Sequence, residues 1–221
     1  MNLLDGAADE VTLNEQAHRR LEELIVTLEL APGSVVSESI LSSLIGIGTT
    51  PIREALQRLS REYLVRIFPR RGVVITAIDV QQQLQVLETR RELDRLIARL
   101  AARRASTSER QGIALLADRF DVIGPGNDDL KAFLRLDAEM NSLVARAAHN
   151  DIAADAVLSL HSLTRRFWFF HHHDRLSGQS TAVLHSALAR AVASGDEDSA
   201  ARACDVLIDE GVAFAKRTLP G

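Results

Sequence analysis

Between Val65 and Ile75 the chain carries two short β-rich runs, Val65-Arg66-Ile67-Phe68 and Val73-Val74-Ile75, around Pro69-Arg70-Arg71-Gly72. Such a Pro/Gly turn between two runs predicts a β-hairpin. The flanking chain has helical periodicity, so this one hairpin makes the chain mainly α and marks where its character changes.

Upstream of it, Thr12 and Glu15 form a T-x-x-E box that opens a helix with Leu21, Leu24, Ile25 and Leu28 on one face. Ala31-Pro32-Gly33 stops that helix. Ser37 is placed to cap a short second helix bearing Ile40, Leu41, Leu44 and Ile45, and Gly46-Ile47-Gly48 makes a tight turn. A third helix follows from Thr49 or Thr50, with Pro51 tolerated in its first turn and Ile52, Ala55, Leu56 and Leu59 at i, i+3, i+4, i+7. Downstream, Thr76-x-x-Asp79 predicts the start of a long helix, and Ser106-x-x-Glu109 starts the next, which Gly124-Pro125-Gly126 ends. Helices near 128–148, 151–173, 178–194 and 197–217 complete the chain. The expected division is residues 1–76 and 77–221.

At 46% hydrophobic and 25% charged residues over 221 positions, the composition is that of a soluble globular chain. No apolar run approaches the roughly 18 residues a membrane span needs, so no membrane partner is expected. The opening MNLLDGAADE lacks the basic-then-apolar order of a signal peptide. A single cysteine, Cys204, forms no internal disulfide and suits a reducing cytoplasm. The net charge of −4 speaks against nucleic acid, but it hides a local excess. From Gly48 to Thr76, Arg53, Arg58, Arg61, Arg66, Arg70 and Arg71 face only Glu54 and Glu62. A patch of that kind is what phosphate contact requires.

Three helices and a hairpin in this order are the layout of a winged helix-turn-helix, whose second motif helix enters the major groove by its N-terminal end. Here that end presents Thr49, Thr50 and Arg53, and the hairpin tip presents Arg70, Arg71 and Gly72. Hydroxyls at a helix N-terminus suit phosphate oxygens, and arginine also reads guanine edges. The expected partner is a double-stranded DNA operator.

The same residues resemble a known signature. Leu30-Ala31-Pro32-Gly33, Ser37-Glu38, Leu44-Ile45-Gly46-Ile47, Thr50-Pro51-Ile52-Arg53-Glu54-Ala55-Leu56 and Arg71-Gly72 follow one another as in GntR-family regulators. The helical remainder resembles the FCD effector-binding domain of the FadR-like branch, with markers at Arg90, at Asp137 and Asn150, and at His185 before Gly195-Asp196. The resemblance departs at Ser39, where the family usually carries arginine, and at Gly48-Thr49-Thr50-Pro51, where it usually reads Ser-Arg-Thr-Pro. The implied fold is mainly α: a winged helix-turn-helix of three helices plus hairpin, then an all-α bundle of FCD type. The implied activity is that of a homodimeric transcription regulator, read as a repressor, controlled by a small organic acid effector.

In FCD domains three histidines and an aspartate typically hold a divalent metal, so the resemblance implies one zinc or nickel ion near Asp137, Asn141 and His185. Asn141 and Leu207 stand where histidines are customary. Arg90, Arg165 and Arg166 are the candidate anchors for the effector carboxylate. Phe167-Trp168-Phe169-Phe170 holds four of the nine aromatics and reads as core packing or as a pocket wall. His171-His172-His173-Asp174 resembles a metal tract, but consecutive helical residues point about 100° apart and converge poorly on one ion. Two other functions fit parts of the pattern: a metal-dependent hydrolase using Asp137, His185 and the histidine tract, although no H-E-x-x-H is present, and a helical scaffold that has lost DNA binding with its customary arginines.

Overall fold

In a computed structural model, residues 12–123, 127–171 and 178–219 are described. They form two compact units, divided after Ala77.

The first unit contains α1 (Leu13–Val26), β1 (Val35–Val36), α2 (Glu38–Ile45), α3 (Thr49–Arg61), β2 (Val65–Phe68) and β3 (Gly72–Ile75). Thr12 caps α1 by accepting from the Glu15 N–H, and Ser37 caps α2 by accepting from the Ile40 N–H. Gly46 ends α2 in the left-handed conformation at φ +70°. On α3 the stripe Ile52, Ala55, Leu56 and Leu59 is buried, as are Leu21 and Ile25 of α1, the helix packed against it. A polar network ties α1 to α3. His18 Nε2 lies 2.8 Å from Glu62 Oε2, and Arg58 donates to both Glu62 and Glu15.

The hairpin is part of a three-stranded antiparallel sheet in the order β1-β3-β2. Its third strand was not expected: Val35 and Val36 pair with Val74 and Val73. Gly72 makes that pairing possible, because a Cβ there would stand 2.8 Å from the Val36 carbonyl oxygen and its φ is +100°.

The second unit is all helical: α4 (Val80–Arg104), α5 (Thr107–Asp121), α6 (Asn127–Ala147), α7 (Asp151–His171), α8 (Gly178–Ser194) and α9 (Glu197–Arg217). The expected start of α4 shifts. Asp79, not Thr76, is the cap, accepting from the Gln82 N–H, while the Thr76 hydroxyl donates to the Tyr63 and Leu64 carbonyls. Ser106 and Glu109 form a complete capping box on α5. The Gly124-Pro125-Gly126 stop lies outside the described residues. Arg110 binds two helix ends together, donating to the carbonyls of Ala102 in α4, of Ala105 just after it, and of Val192 and Ala193 in α8. Gly195 leaves room for it: a Cβ there would stand 2.6 Å from Arg110 Nη1. No helix among the described residues is long and apolar enough to cross a membrane.

Candidate functional site

Two regions concentrate the residues singled out above. In the first unit, Thr49, Thr50 and Arg53 are all exposed along the first turn of α3 and the residue after it. Arg53 is held by a neighbour: its Nε donates to Glu38 Oε2 at 2.6 Å, from the first turn of α2. Arg70 and Arg71 are exposed at the hairpin tip. The Arg71 N–H closes the turn on the Phe68 carbonyl at 3.0 Å, with Pro69 and Arg70 as central residues and Arg70 at φ +63°. That is type II geometry, which ordinarily takes glycine or asparagine where Arg70 stands. Gly72 has a backbone reason for its identity in β3, given above.

In the second unit the bundle interior carries an unusual density of buried charge. Asp137 on α6 is buried, and its Oδ1 lies 2.9 Å from His185 Nε2 of α8. The same oxygen accepts from Asn141 Nδ2 at 3.0 Å, while Arg165 Nη1 of α7 stands 3.6 Å from Oδ2. Burial pushes the Asp137 carboxyl up, but the His185 hydrogen bond and charge, then Arg165, outweigh it and hold the group far below the usual carboxylate range. The His185 Nδ1 faces the Thr181 carbonyl at 2.7 Å. Both ring nitrogens therefore face acceptors. Its ring lies between Phe120 and Phe133, with centroids 5.2 and 5.1 Å away.

A second buried group sits beside the first. Arg90 Nε of α4 donates to Asp94 Oδ2 at 2.9 Å, and His161 Nε2 of α7 meets Asp94 Oδ1 at 2.7 Å. Sequence reading singled out Arg90 but neither Asp94 nor His161. The i, i+4 spacing of Arg90 and Asp94 was a usable signal; nothing local pointed to His161.

An open pocket borders these groups. Arg90, Arg165 and His185 line it together with Phe133, Trp168 and Phe214. Leu207, at a position customary for histidine, is an apolar part of the same wall. The two candidate anchors on α7 part company. Arg165 faces this pocket, whereas Arg166 is buried on the side of Asp79, Gln82 and Gln83, where burial lowers its pKa to about 10. The aromatic run divides likewise, with Phe167 in the core, Trp168 in the pocket wall and Phe170 exposed. His171 ends α7 with its ring 4.5 Å from that of Phe167. His172, His173 and Asp174 lie outside the described residues. Cys204 of α9 is buried, and burial pushes its thiol far above the ordinary range.

The expected metal ion can be tested against this donor set. His185 is oriented as a ligand would be, one nitrogen on a carbonyl and the other toward a carboxylate. The remainder does not fit. Asn141 turns its amide N–H to Asp137, Leu207 has no donor atom, and the Arg165 guanidinium stands where it would repel a cation. No cluster of three or more His, Cys, Asp or Glu side chains is assembled for a metal among the described residues.

Comparison with known proteins settles the class. Residues 13–75 match the gntR family of bacterial regulatory proteins, and residues 85–210 match the FCD domain. The chain belongs to the GntR family, FCD branch. The HTH-type transcriptional repressor RspR of Escherichia coli is 28% identical over 70% of this chain and 67% of its own length. The Nta operon transcriptional regulator of Aminobacter aminovorans is 25% identical over 80% and 82%. A regulator from Streptomyces ambofaciens is 38% identical over 68 residues, so the chain spans 29% of that relative's length. Among solved structures, E. coli McbR/YncC superposes with a TM-score of 0.78 at 15% identity, covering 94% of this chain and 98% of that one. A GntR regulator from Rhodococcus gives 0.68 at 17% identity, covering 94% and 99%. Both share its fold. The chain is thus a DNA-binding transcriptional regulator of GntR/FCD type and not an enzyme, which removes the hydrolase reading.

Proposed function

We propose that this GntR regulator is a homodimeric repressor that releases its operator when a small organic acid enters the FCD bundle. The observation that carries the reading is the apolar pocket with Arg90, Arg165 and His185 in its wall. A bound carboxylate needs positive charge facing it, and the guanidiniums of Arg90 and Arg165 supply it without a metal ion, while Glu210 of the same wall accepts from Arg217. The aromatic wall of Phe133, Trp168 and Phe214 selects an acid with an apolar body. Repression is the activity carried by the name of the relative RspR. Dimerisation follows from reading length, since one recognition helix contacts too few base pairs for genomic selectivity.

Gel shift of the full chain on DNA upstream of its own gene tests the reading. A specific complex that dissociates with an aromatic acid, in EDTA as in its absence, is the expected result. Metal well below one equivalent per chain, after purification without a histidine tag and incubation with zinc or nickel, is expected beside it. A stoichiometric ion whose removal abolishes the ligand response overturns the metal-free part of the proposal. Operator binding indifferent to every acid tried overturns the effector part.

The wing gives a sharper prediction. A left-handed conformation costs a non-glycine residue about 1–2 kcal/mol, and such strain collects at functional positions. Arg70→Gly should relieve it, leaving thermal stability unchanged or slightly raised. Operator affinity should fall nonetheless, and the slope of log K against log salt should drop by about one. An unchanged slope would show that Arg70 does not touch phosphate.

A further inference from the structure

We propose that His161 forms a hydroxyl-accepting subsite beside the carboxylate site, so that the effector is a 2-hydroxy acid with an apolar body. The inference rests on the organic-acid reading above and adds the second functional group that the ligand must carry.

Its first support is an orphaned atom. His161 is 3% exposed, its Nε2 is engaged by Asp94 Oδ1 at 2.7 Å, and its Nδ1 is buried with no hydrogen-bond partner. The Asp94 carboxylate can only accept, so Nε2 carries the ring proton. Burial, then the charge of Arg90, disfavour a second proton on the ring. Nδ1 is therefore a bare acceptor with nothing to accept from. A buried acceptor left in that state is destabilising, and native interiors rarely leave one without a use.

The second support is where this acceptor stands. A small chamber is lined by His161, Asp94, Asn141, Met140 and Cys204 among others, and shares Arg90, Leu207 and Ile208 with the larger pocket. Arg90 thus borders both spaces. A ligand whose carboxylate meets the cations of the larger pocket would place a group on its adjacent carbon at this shared wall. The donor it offers to Nδ1 must be neutral, because the two charges of this wall, Arg90 and Asp94, already neutralise each other as a pair, and a buried ammonium would have no counter-charge of its own. A hydroxyl meets both conditions. Leu207 also gains a reason: an apolar side chain between the two spaces takes no hydrogen bond from the ligand's hydroxyl.

Three measurements on the full chain test this. Calorimetry compares 3-phenylpropanoate with phenyllactate, and phenylacetate with mandelate, pairs that differ by one 2-hydroxyl. In the wild type, at least one pair should show the hydroxylated acid binding tenfold or more tighter, and in His161→Phe the preference should shrink to about twofold. Independently, 15N spectra of the histidine rings during a methanol titration should show His161 Nδ1 moving as it accepts a hydrogen bond. His161→Gln, which keeps an acceptor, guards against a folding defect in the phenylalanine variant and should retain part of the preference. Carboxylates that bind with no hydroxyl preference overturn the subsite and leave the organic-acid reading intact. A methanol response at Nδ1 with no acid binding upholds the subsite and overturns that reading. Neither response overturns both.

Discussion

Asp137→Asn is expected to destabilise the helical unit by about 3–5 kcal/mol, because it removes the buried carboxylate that the buried His185 ring and the half-buried Arg165 guanidinium both face. The geometry gives this residue its leverage: one buried carboxylate has His185 Nε2, Asn141 Nδ2 and Arg165 Nη1 within 2.9, 3.0 and 3.6 Å. Urea unfolding followed by tryptophan fluorescence measures the effect cleanly, since Trp168 is the only tryptophan and sits in this unit. The pH dependence has a definite sign. The folded-state pKa of Asp137 is depressed, so as pH falls the unfolded chain takes up the proton first. The stabilisation is present in full above the unfolded value of about 3.9 and lost as pH drops through the folded value. The contribution of the Asp137 carboxylate to the gap between wild type and variant should therefore narrow only below about pH 4. A loss under about 1 kcal/mol at pH 7 would show that the cluster rearranges or is hydrated, and would remove the argument for a preformed cationic site.

The second large effect belongs to the recognition helix. Arg53→Ala should weaken operator binding by about 1–3 kcal/mol, roughly 5- to 150-fold, and relax sequence preference at the base pair it reads. Glu38 makes the expectation more discriminating. In the free protein its carboxylate holds the Arg53 guanidinium, an exposed pair whose own contribution to stability is small. DNA must break that pair before Arg53 can reach a base. Glu38→Gln should accordingly tighten binding severalfold and speed association, with little change in melting temperature. If Glu38→Gln weakens binding as much as Arg53→Ala does, Glu38 positions the arginine instead of competing for it. Equal affinity of Arg53→Ala and wild type would remove Arg53 from the interface altogether.

The first unit was largely legible because its signals are local. Caps at Thr12 and Ser37, the stop at Gly46 and the stripe Ile52-Ala55-Leu56-Leu59 each act within a few residues. What escaped was non-local. Two valines at 35 and 36 have no strand pattern of their own, and become β1 only because β3 supplies partners and Gly72 lets the backbones approach. Thr76-x-x-Asp79 has the form of a capping box, but the Thr76 hydroxyl had nearer carbonyls at Tyr63 and Leu64. In the bundle, Asp137 and His185 were found through a resemblance, and their electrostatics were not. Arg165 and Arg166 are neighbours about 100° apart on one helix, so which faces the pocket depends on how α7 is rotated against α6. Periodicity does not fix that rotation when apolar residues nearly encircle the helix. His161 was harder still, since its partner Asp94 lies 67 residues away.

Cys204 has a practical consequence. A thiol that is buried and held far above its ordinary pKa offers almost no thiolate at neutral pH, and maleimides and iodoacetamides react with the thiolate. The unaltered chain is therefore a low-background host for a single introduced cysteine. A fluorophore carried at Val183, an exposed position on the face of α8 opposite His185, would report on the packing of that helix without entering the pocket. The native interior would need no substitution for that observation to be made.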